Sequence, residues 1–386
     1  MSTYCLSGGP LFDGHNLYPN GHVCMEGGRI SGFGPGHPPA AKGSSRDVDG
    51  RLICPGFVDL HCDALEKCIE PRPGATFDYQ YALEGLDRRL AASGVTSFCH
   101  AVAFLDKEMG LRSPHTAADM IRAIWRFQAS NRALVRHEVH IRFEVGGILS
   151  AQVIQDLLNT QNSTLFSVMD HSPGQGQFKS LESFMSYFGT AYAISRQEVE
   201  ALGMVRAENN HRAWEDSLDL IHEVRALNIP ILSHDDDTVE KVEKVRNLGA
   251  VGCEFPVSLQ AAEQARDMGM LVCMGAPNLL RGCSTNNNVK AAQVMQDQLC
   301  DILVSDYFPE CLLQAPFLAH RELGLDLTEG LSMGTANPGA LLQTKGLSPG
   351  CLQVGAEADI VVLDTAPPWV RVWETWVGGR RVYAAH

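Results

Sequence analysis

Residues that could bind a metal ion follow several short apolar segments of this chain. They are His61, Asp63, Glu144, His171, His234 and Asp306. Imidazole nitrogens and carboxylate oxygens are ligands for zinc or manganese, and a carboxylate such as Glu144 or Asp63 can bridge two ions. His61 and Asp63 are two residues apart, so on a strand both side chains face the same side. The set predicts a site for one or two divalent ions, with zinc as the first expectation and manganese as the alternative.

Each of these residues alone has an ordinary structural explanation. A histidine at a strand end is commonly satisfied by hydrogen bonds, and an aspartate there commonly caps the next helix. Asp235, Asp236 and Asp237 fit that capping role better than a metal role. The combination of three histidines and three carboxylates favours the metal site.

Three further segments contain cations, hydroxyls and glycines that suit phosphate oxygens. They are residues 66–74, the turn after His171 and residues 275–282, and they supply the candidate phosphate ligands Lys67, Arg72, Ser172, Gln175 and Arg281. Arginine can bind two phosphate oxygens at once, and glycine turns expose backbone N–H groups. The alternative is that these are surface loops with solvated charges. No segment matches a Walker loop or a dinucleotide fingerprint.

Strands that alternate with helices must position these side chains. Apolar segments predict strands at residues 56–60, 95–102, 138–145, 165–170, 230–233, 251–255, 271–275 and 301–305. Apolar residues three and four apart predict helices at residues 117–134, 212–227, 238–248 and 259–268. Such an alternation fits an α/β fold, a (β/α)8 TIM-like barrel, in which strand ends converge on one mouth. A doubly wound sheet stays open as the alternative.

The two ends of the chain resemble each other and differ from the middle. Both carry short candidate strands, and Gly378-Gly379 marks the bend of a hairpin near the C-terminus. We expect residues 1–54 and 346–386 to form one small β-sandwich-like domain. The barrel would then span residues 55–345, with an insertion near residues 178–210.

Composition excludes several classes of protein. The 386 residues carry 31 Lys plus Arg against 45 Asp plus Glu, a formal net charge of -14 that disfavours nucleic-acid binding. No apolar run reaches the roughly 20 residues that span a bilayer, and the N-terminus lacks an export signal. The 12 cysteines include no C-x-x-C pair, and we expect them to be buried and reduced. These features predict a cytoplasmic protein without a membrane or nucleic-acid partner.

The sequence resembles the amidohydrolase superfamily in its segments Pro-Gly-Phe-Val-Asp-Leu-His at residues 55–61 and Ala-Asp-Ile-Val-Val-Leu-Asp at residues 358–364. Asp63 stands where the superfamily usually has a second histidine. Further motifs are similar to the diphosphatase family that acts on α-D-ribose 1-methylphosphonate 5-triphosphate in the carbon-phosphorus lyase pathway; they lie at residues 66–67, 70–74, 169–175, 233–236, 254–256, 275–278, 281–282 and 305–307. Ala64, Cys283 and residues 284–288 depart from that family's pattern.

This resemblance implies hydrolysis of the 5-triphosphate to the 5-phosphate and pyrophosphate. Two divalent ions would lower the pKa of a bound water toward about 7, and Asp306 would orient that water and accept its proton. Lys67, Arg72 and Arg281 would neutralise phosphate charge. The implied substrate is a small anionic phosphorylated sugar, with a functional link to carbon-phosphorus lyase components; a homo-oligomer stays open.

The resemblance leaves one conflict in strand order. The superfamily usually places its two later histidines on the fifth and sixth strands, whereas the segments above put His171 and His234 on the fourth and fifth. Either a strand lies undetected between residues 104 and 137 or the ligand layout differs.

Two other functions stay open at this point. A hydrolase of the same fold could act on a C–N bond, as a deacetylase, cyclic amidase or deaminase, with the same metal chemistry and no phosphate clamp. A non-catalytic partner of the lyase assembly could have kept the barrel as a scaffold.

Overall fold

The computed structural model describes residues 3–38, 43–106, 110–160, 164–172, 210–284, 288–342, 347–366 and 368–385. The strands in this part of the chain are β1 (Thr3–Phe12), β2 (Leu17–Glu26), β3 (Arg29–Pro35), β4 (Gly43–Asp47), β5 (Leu52–Pro55), β6 (Phe57–Cys62), β7 (Val95–Phe104), β8 (Arg136–Glu144), β9 (Leu165–Met169), β10 (Ile231–His234), β11 (Ala250–Glu254), β12 (Leu271–Gly275), β13 (Ile302–Val304), β14 (Ile360–Asp364), β15 (Arg371–Val377) and β16 (Arg380–Ala384). The helices are Ala64–Ile69, Tyr79–Ala92, Pro114–Ala129, Ile148–Leu158, Asn210–Ala226, Val239–Asn247, Leu259–Asp267, Ala276–Arg281, Ala291–Gln296, Glu310–Leu318, Leu327–Gly334 and Ala336–Leu341, with a π-helical turn at Ala319–Leu323.

Strands β6 to β13 form a parallel eight-stranded sheet in which each strand pairs with the next along the chain. The sheet closes where Asp306 follows β13, because its N–H donates to the His61 carbonyl at 2.9 Å and its carbonyl accepts from the Asp63 N–H at 2.7 Å. In strands that are buried on both faces, most consecutive residues are apolar, and the positions of these strands could therefore be predicted from the sequence. The predicted (β/α)8 barrel is confirmed.

Both ends of the chain build a second sheet, with the strand order β16-β15-β14-β5-β1-β2-β3 and β4 added beside β1. Its apolar core includes Leu6, Ile53 and Val362. Strand β5 from the N-terminal part pairs antiparallel with β14 from the C-terminal part. The predicted hairpin is present, with Gly378 and Gly379 at φ values of 55° and 72° between β15 and β16. A β region formed by both termini is therefore confirmed.

Polar contacts fasten this second sheet to the barrel. Arg136 at the start of β8 forms ion pairs with Glu357 and Asp359. Thr375 on β15 donates a 2.7 Å hydrogen bond to the carbonyl of Ala91. The sheet is thus joined to the end of the barrel opposite its C-terminal mouth.

The structure resolves the conflict over strand order. The helix Pro114–Ala129 lies between β7 and β8, and the described residues between 104 and 136 contain no further strand. His171 therefore follows the fourth barrel strand and His234 ends the fifth, as the sequence segments indicated.

Several local expectations were wrong. Thr238, not one of the three preceding aspartates, caps the helix Val239–Asn247 by accepting from the Lys241 N–H. The alternative that segments 66–74 and 275–282 are plain surface loops does not hold throughout, because parts of them are helical, in Ala64–Ile69 and Ala276–Arg281. The expectation that all cysteines are reduced was also wrong. Cys5 on β1 and Cys24 on β2 are opposite each other in the antiparallel pairing and form a disulfide.

The insertion predicted near residues 178–210 lies outside the described residues, apart from the start of the helix Asn210–Ala226. Among the described helices, none has the length and apolar character needed to cross a membrane.

Candidate active site

Three non-glycine residues just beyond the barrel strands adopt left-handed backbone conformations. Asp235 follows β10 with φ 55°, Phe255 follows β11 with φ 54°, and Asp306 follows shortly after β13 with φ 59°. Such conformations are costly for side chains other than glycine, and they persist where the surrounding structure enforces them, often at functional sites. Their clustering marks the C-terminal mouth of the barrel as the constrained part of the fold.

Two histidines and an aspartate bring their ligand atoms together at the ends of β9 and β10. One ligand atom from each of His171, His234 and Asp235 lies within 4.8 Å of the others. His171 Nε2 is 3.6 Å from Asp235 Oδ2, and His234 Nδ1 is 3.1 Å from the same oxygen. Glu144 holds His171 from behind: its Oε2 is 2.8 Å from Nδ1, and its Oε1 accepts a 2.8 Å hydrogen bond from the His171 N–H.

Charge at this group favours a bound cation. Burial would lower the pKa of His171, but the carboxylates of Glu144 and Asp235 outweigh burial and raise it to about 9. Burial would raise the pKa of Asp235, yet the neighbouring His234 and His171 bring it below its ordinary value. The protein thus places a proton on His171 between two carboxylates, and a divalent ion can replace such a proton. The nitrogen and oxygen donors fit zinc or manganese.

His61 is held by a buried hydrogen-bond network below the mouth. Its Nδ1 is 2.8 Å from Glu254 Oε1, and both side chains are almost fully buried. The second oxygen of Glu254 accepts from Ser167, Ser167 contacts His140 Nε2, and His140 Nδ1 is 2.8 Å from the carbonyl of Leu60. His61, His140 and Glu254 also bring ligand atoms within 4.8 Å of one another. Since those atoms already bond each other or Ser167, we interpret this group as the support of His61.

Burial lowers the pKa of His61 well below its ordinary value, and the nearby charge of Arg142 lowers it further. The ring is therefore neutral. With its Nδ1 proton donated to Glu254, its Nε2 keeps a lone pair.

Two arginines lie among the candidate ligands. Arg142 on β8 is 7% exposed, and its Nη2 is 3.0 Å from His234 Nε2. Arg112 contacts Glu66 through Nε and Nη2, the shortest distance being 2.8 Å, and its Nη2 is 3.3 Å from Asp63 Oδ2. The mouth therefore combines carboxylates with fixed positive charges.

Asp63 and Asp306 meet through their backbones where the barrel closes, yet neither joins the two groups of ligand atoms found among the described residues. Burial and the carboxylate of Asp63 raise the pKa of Asp306 to about 7. Burial and Glu66 raise the pKa of Asp63, and Arg112 opposes them. These two carboxylates form the side of the mouth opposite His171.

Two of the predicted phosphate-binding cations, Lys67 and Arg281, have neighbours at the mouth. Lys67, Arg72 and Arg281 are exposed. Lys67 is close enough to Asp63 for its charge to lower the pKa of that carboxyl. Arg281 donates through Nη1 to the hydroxyl of Tyr307 at 3.1 Å, directly beside the Asp306 segment.

The other two predicted phosphate ligands follow β9. Ser172 is buried, and its N–H donates to Asp170 Oδ1 at 3.1 Å. Gln175 lies outside the described residues.

Five residues of the site are not among the predicted site residues: Arg112, His140, Arg142, Asp235, which was expected to cap a helix, and Glu254, which was noted only within the motif at residues 254–256. A signal for two of them was present in β8, where the even-numbered residues 138 to 144 are polar and the odd-numbered Val139, Ile141 and Phe143 pack into the apolar core. That alternation of period two turns every even-numbered side chain to the barrel interior.

Comparison with known proteins agrees with this geometry. The chain is 32% identical over 378 residues to the α-D-ribose 1-methylphosphonate 5-triphosphate diphosphatase of Escherichia coli (strain K12), covering 95% of this chain and 97% of that protein. It is 23% identical over 377 residues to the N-acetylglucosamine-6-phosphate deacetylase of Homo sapiens, covering 88% and 85% of the two chains. No family model matches.

Solved structures of the same fold include an amidohydrolase, with a TM-score of 0.65, 13% identity and full coverage of both chains. The N-acetyl-D-glucosamine-6-phosphate deacetylase of Mycobacterium smegmatis has a TM-score of 0.64 and 15% identity, covering 98% of this chain and 100% of that chain. By its fold and by the near full-length similarity to the bacterial diphosphatase, this chain belongs to the α-D-ribose 1-methylphosphonate 5-triphosphate diphosphatase family of the amidohydrolase superfamily.

Proposed function

We propose that this chain hydrolyses α-D-ribose 1-methylphosphonate 5-triphosphate to the 5-phosphate and pyrophosphate with the help of a divalent metal ion. The observation that carries the proposal is the pairing of a metal-competent group with arginines in one mouth, in a chain similar to that diphosphatase over 95% of its length. Phosphoryl transfer requires positioned positive charge more than covalent catalysis, and this mouth offers such charge.

The residues that would hold the ion are His171, His234 and Asp235, with Glu144 fixing the ring of His171. When bound, a divalent ion supplies Lewis-acid chemistry: it polarises a phosphoryl oxygen and makes water acidic enough to react near neutral pH. Zinc is the first expectation and manganese the alternative, because both accept nitrogen and oxygen ligands.

The chain's own residues divide the remaining work. Asp306 would orient the attacking water and accept its proton, because it stands at the mouth beside His61 and Asp63. The water oxygen forms a new bond to phosphorus as the bond between the α and β phosphates breaks. The leaving group is pyrophosphate, and the sugar keeps its 5-phosphate.

The predicted cations would neutralise the phosphates during this step. Lys67, Arg72 and Arg281 are exposed, so a polyanion can reach them. Ser172 and Gln175 complete the predicted phosphate set. We also propose a cytoplasmic location and a functional link to carbon-phosphorus lyase components, which neighbouring genes for those components would support.

Hydrolysis of a C–N bond is the second candidate, since a sugar-phosphate deacetylase matches most of the chain. Such a reaction would use similar metal chemistry, but its substrate would carry a single phosphate at most. The discriminating experiment compares pyrophosphate release from a ribose 5-triphosphate ester with acetate release from an N-acetyl sugar phosphate. Turnover of the acetylated compound without any pyrophosphate release would reject the diphosphatase proposal.

A further inference from the structure

Lys241 is a buried lysine in contact with the backbone of the candidate ion group formed by His171, His234 and Asp235. It lies on the helix Val239–Asn247, and only 6% of it is exposed. Lysine is almost never buried in proteins unless its ammonium group is paired, because moving an unpaired charge out of water is costly. The partners of this ammonium group therefore show what the side chain does.

Three oxygen atoms surround the Lys241 ammonium group. Its Nζ donates to the carbonyl of His234 at 3.1 Å and to the carbonyl of Asp235 at 3.3 Å. It also lies 3.5 Å from Asp236 Oδ1. An ammonium group has three N–H donors, so one donor is available for each oxygen. Two of the three oxygens belong to the backbone of residues that would bind the ion.

Asp236 holds the ammonium group from the other side and is itself fixed. It is fully buried, its Oδ2 accepts a hydrogen bond from the Ser233 hydroxyl, and its carbonyl accepts one from the Val257 N–H at 2.9 Å. Ser233 belongs to β10, the barrel strand that leads into the ion group. Lys241 therefore connects the backbone after β10 to a carboxylate that this strand holds in place.

The backbone that Lys241 contacts is under strain. Asp235 has a φ of 55°, a costly conformation for a residue with a side chain. In this conformation Asp235 Oδ2 lies 3.6 Å from His171 Nε2 and 3.1 Å from His234 Nδ1. A relaxation of the backbone would move the carboxylate relative to both rings. The two hydrogen bonds from Lys241 to the carbonyls oppose that relaxation.

We propose that Lys241 is a positioning residue that holds the carbonyls of His234 and Asp235 so that both side chains keep the geometry that an ion requires. This inference rests on the proposed metal-dependent hydrolysis. Residues that orient metal ligands commonly contribute 10- to 100-fold to metal affinity, and we expect an effect in this range for Lys241.

The experiment compares metal binding by Lys241→Met and by the wild type. Methionine fills a similar space but donates no hydrogen bond. Competition with a chromophoric chelator gives the zinc dissociation constant, and the absorption spectrum of bound cobalt(II) reports the geometry of the ligands. We expect the dissociation constant to rise about 10- to 100-fold and the cobalt spectrum to change.

Both measurements are made without turnover, so the two proposals fail separately. A wild type that binds neither zinc nor cobalt would refute the metal-dependent hydrolysis. Equal zinc affinity and equal cobalt spectra in the wild type and in folded Lys241→Met would refute the positioning role alone, even if the variant has a lower Tm, because a lysine that only stabilises the fold does not change the ligand geometry.

The matched control is Lys244→Met. Lys244 is exposed on the same helix, three residues later, with its Nζ 3.9 Å from the centre of the Trp214 ring. This variant should keep the zinc affinity and the cobalt spectrum of the wild type, and an equal loss of affinity in both lysine variants would overturn the proposal. If Lys241→Met does not fold, the shorter and uncharged Lys241→Gln is measured in the same way, and unchanged values would overturn the proposal.

Discussion

Replacement of Glu144 by glutamine should weaken metal binding more than any change elsewhere on the same strand. Glu144 holds His171 at two points, with Oε2 2.8 Å from the ring Nδ1 and Oε1 2.8 Å from the backbone nitrogen. Glutamine keeps the shape of the side chain and removes its charge. It leaves one carboxylate, that of Asp235, to offset the positive charge of an ion beside His171.

The size of the effect follows from the role of Glu144. A residue that orients a metal-bound histidine commonly contributes 10- to 100-fold in affinity, which is about 1.4–2.8 kcal/mol. Because Glu144 both orients His171 and places a negative charge near the ion, we expect the upper part of this range, about 100-fold. The assay is competition for zinc with a chromophoric chelator, which reports the dissociation constant without any turnover.

Glu138→Gln is the matched control. Glu138 lies on the same strand and the same face, six residues earlier, at the opposite end of the barrel, where it accepts a hydrogen bond from Thr164. This variant should bind zinc as tightly as the wild type. An unchanged zinc affinity in folded Glu144→Gln, or an equal loss in both variants, would refute the assignment of the ion to His171 and its neighbours.

Four further outcomes are expected. Asp306→Asn should lower kcat about 10²- to 10⁴-fold with metal content unchanged, as loss of a proton acceptor does; pyrophosphate release measures it, and near-normal kcat would exclude the role. Arg281→Gln should raise KM about tenfold, the loss of one charge-assisted hydrogen bond, while the control Tyr307→Phe leaves KM unchanged. Arg136→Met should lower the free energy of unfolding in urea by about 1.5–3 kcal/mol, because the buried carboxylate of Asp359 loses its cation; equal stability would mean that the ion pair contributes nothing. Chelator treatment should abolish turnover and lower Tm, and added zinc or manganese should restore both; activity that survives complete metal removal would reject the metal hypothesis.

The barrel could be predicted from the sequence because its strands are buried on both faces. The strands Leu271–Gly275 and Ile302–Val304 contain no polar side chain, so their positions follow from composition alone. The carboxyl ends of all strands in such a barrel meet at one mouth. This is why His61, His171, His234 and Asp306, which lie at strand ends or just after them, could be selected from the sequence.

Residues whose role depends on three-dimensional neighbours could not be found in this way. Asp235 precedes a helix and fits the rule for a helix cap, but Thr238 occupies that position and leaves Asp235 free to contact two histidines. Arg112 precedes the helix Pro114–Ala129 and contacts Asp63, which lies 49 residues earlier in the chain, so no local pattern encodes the contact. Single residues near helix starts are therefore ambiguous until the strand ends around them are known.

The acidic composition of the chain does not oppose a polyanionic substrate. Near the mouth, Asp63 and Glu66 contact Arg112, and Glu144 and Asp235 flank His171. These pairs cancel much of the local negative charge. Carboxylates elsewhere on the surface act only weakly on a ligand in the mouth, because charges are screened beyond about 8 Å at physiological salt. The field at the mouth would therefore be set by an ion bound there and by the nearby cations, which makes a net charge of -14 compatible with the proposed anionic ligand.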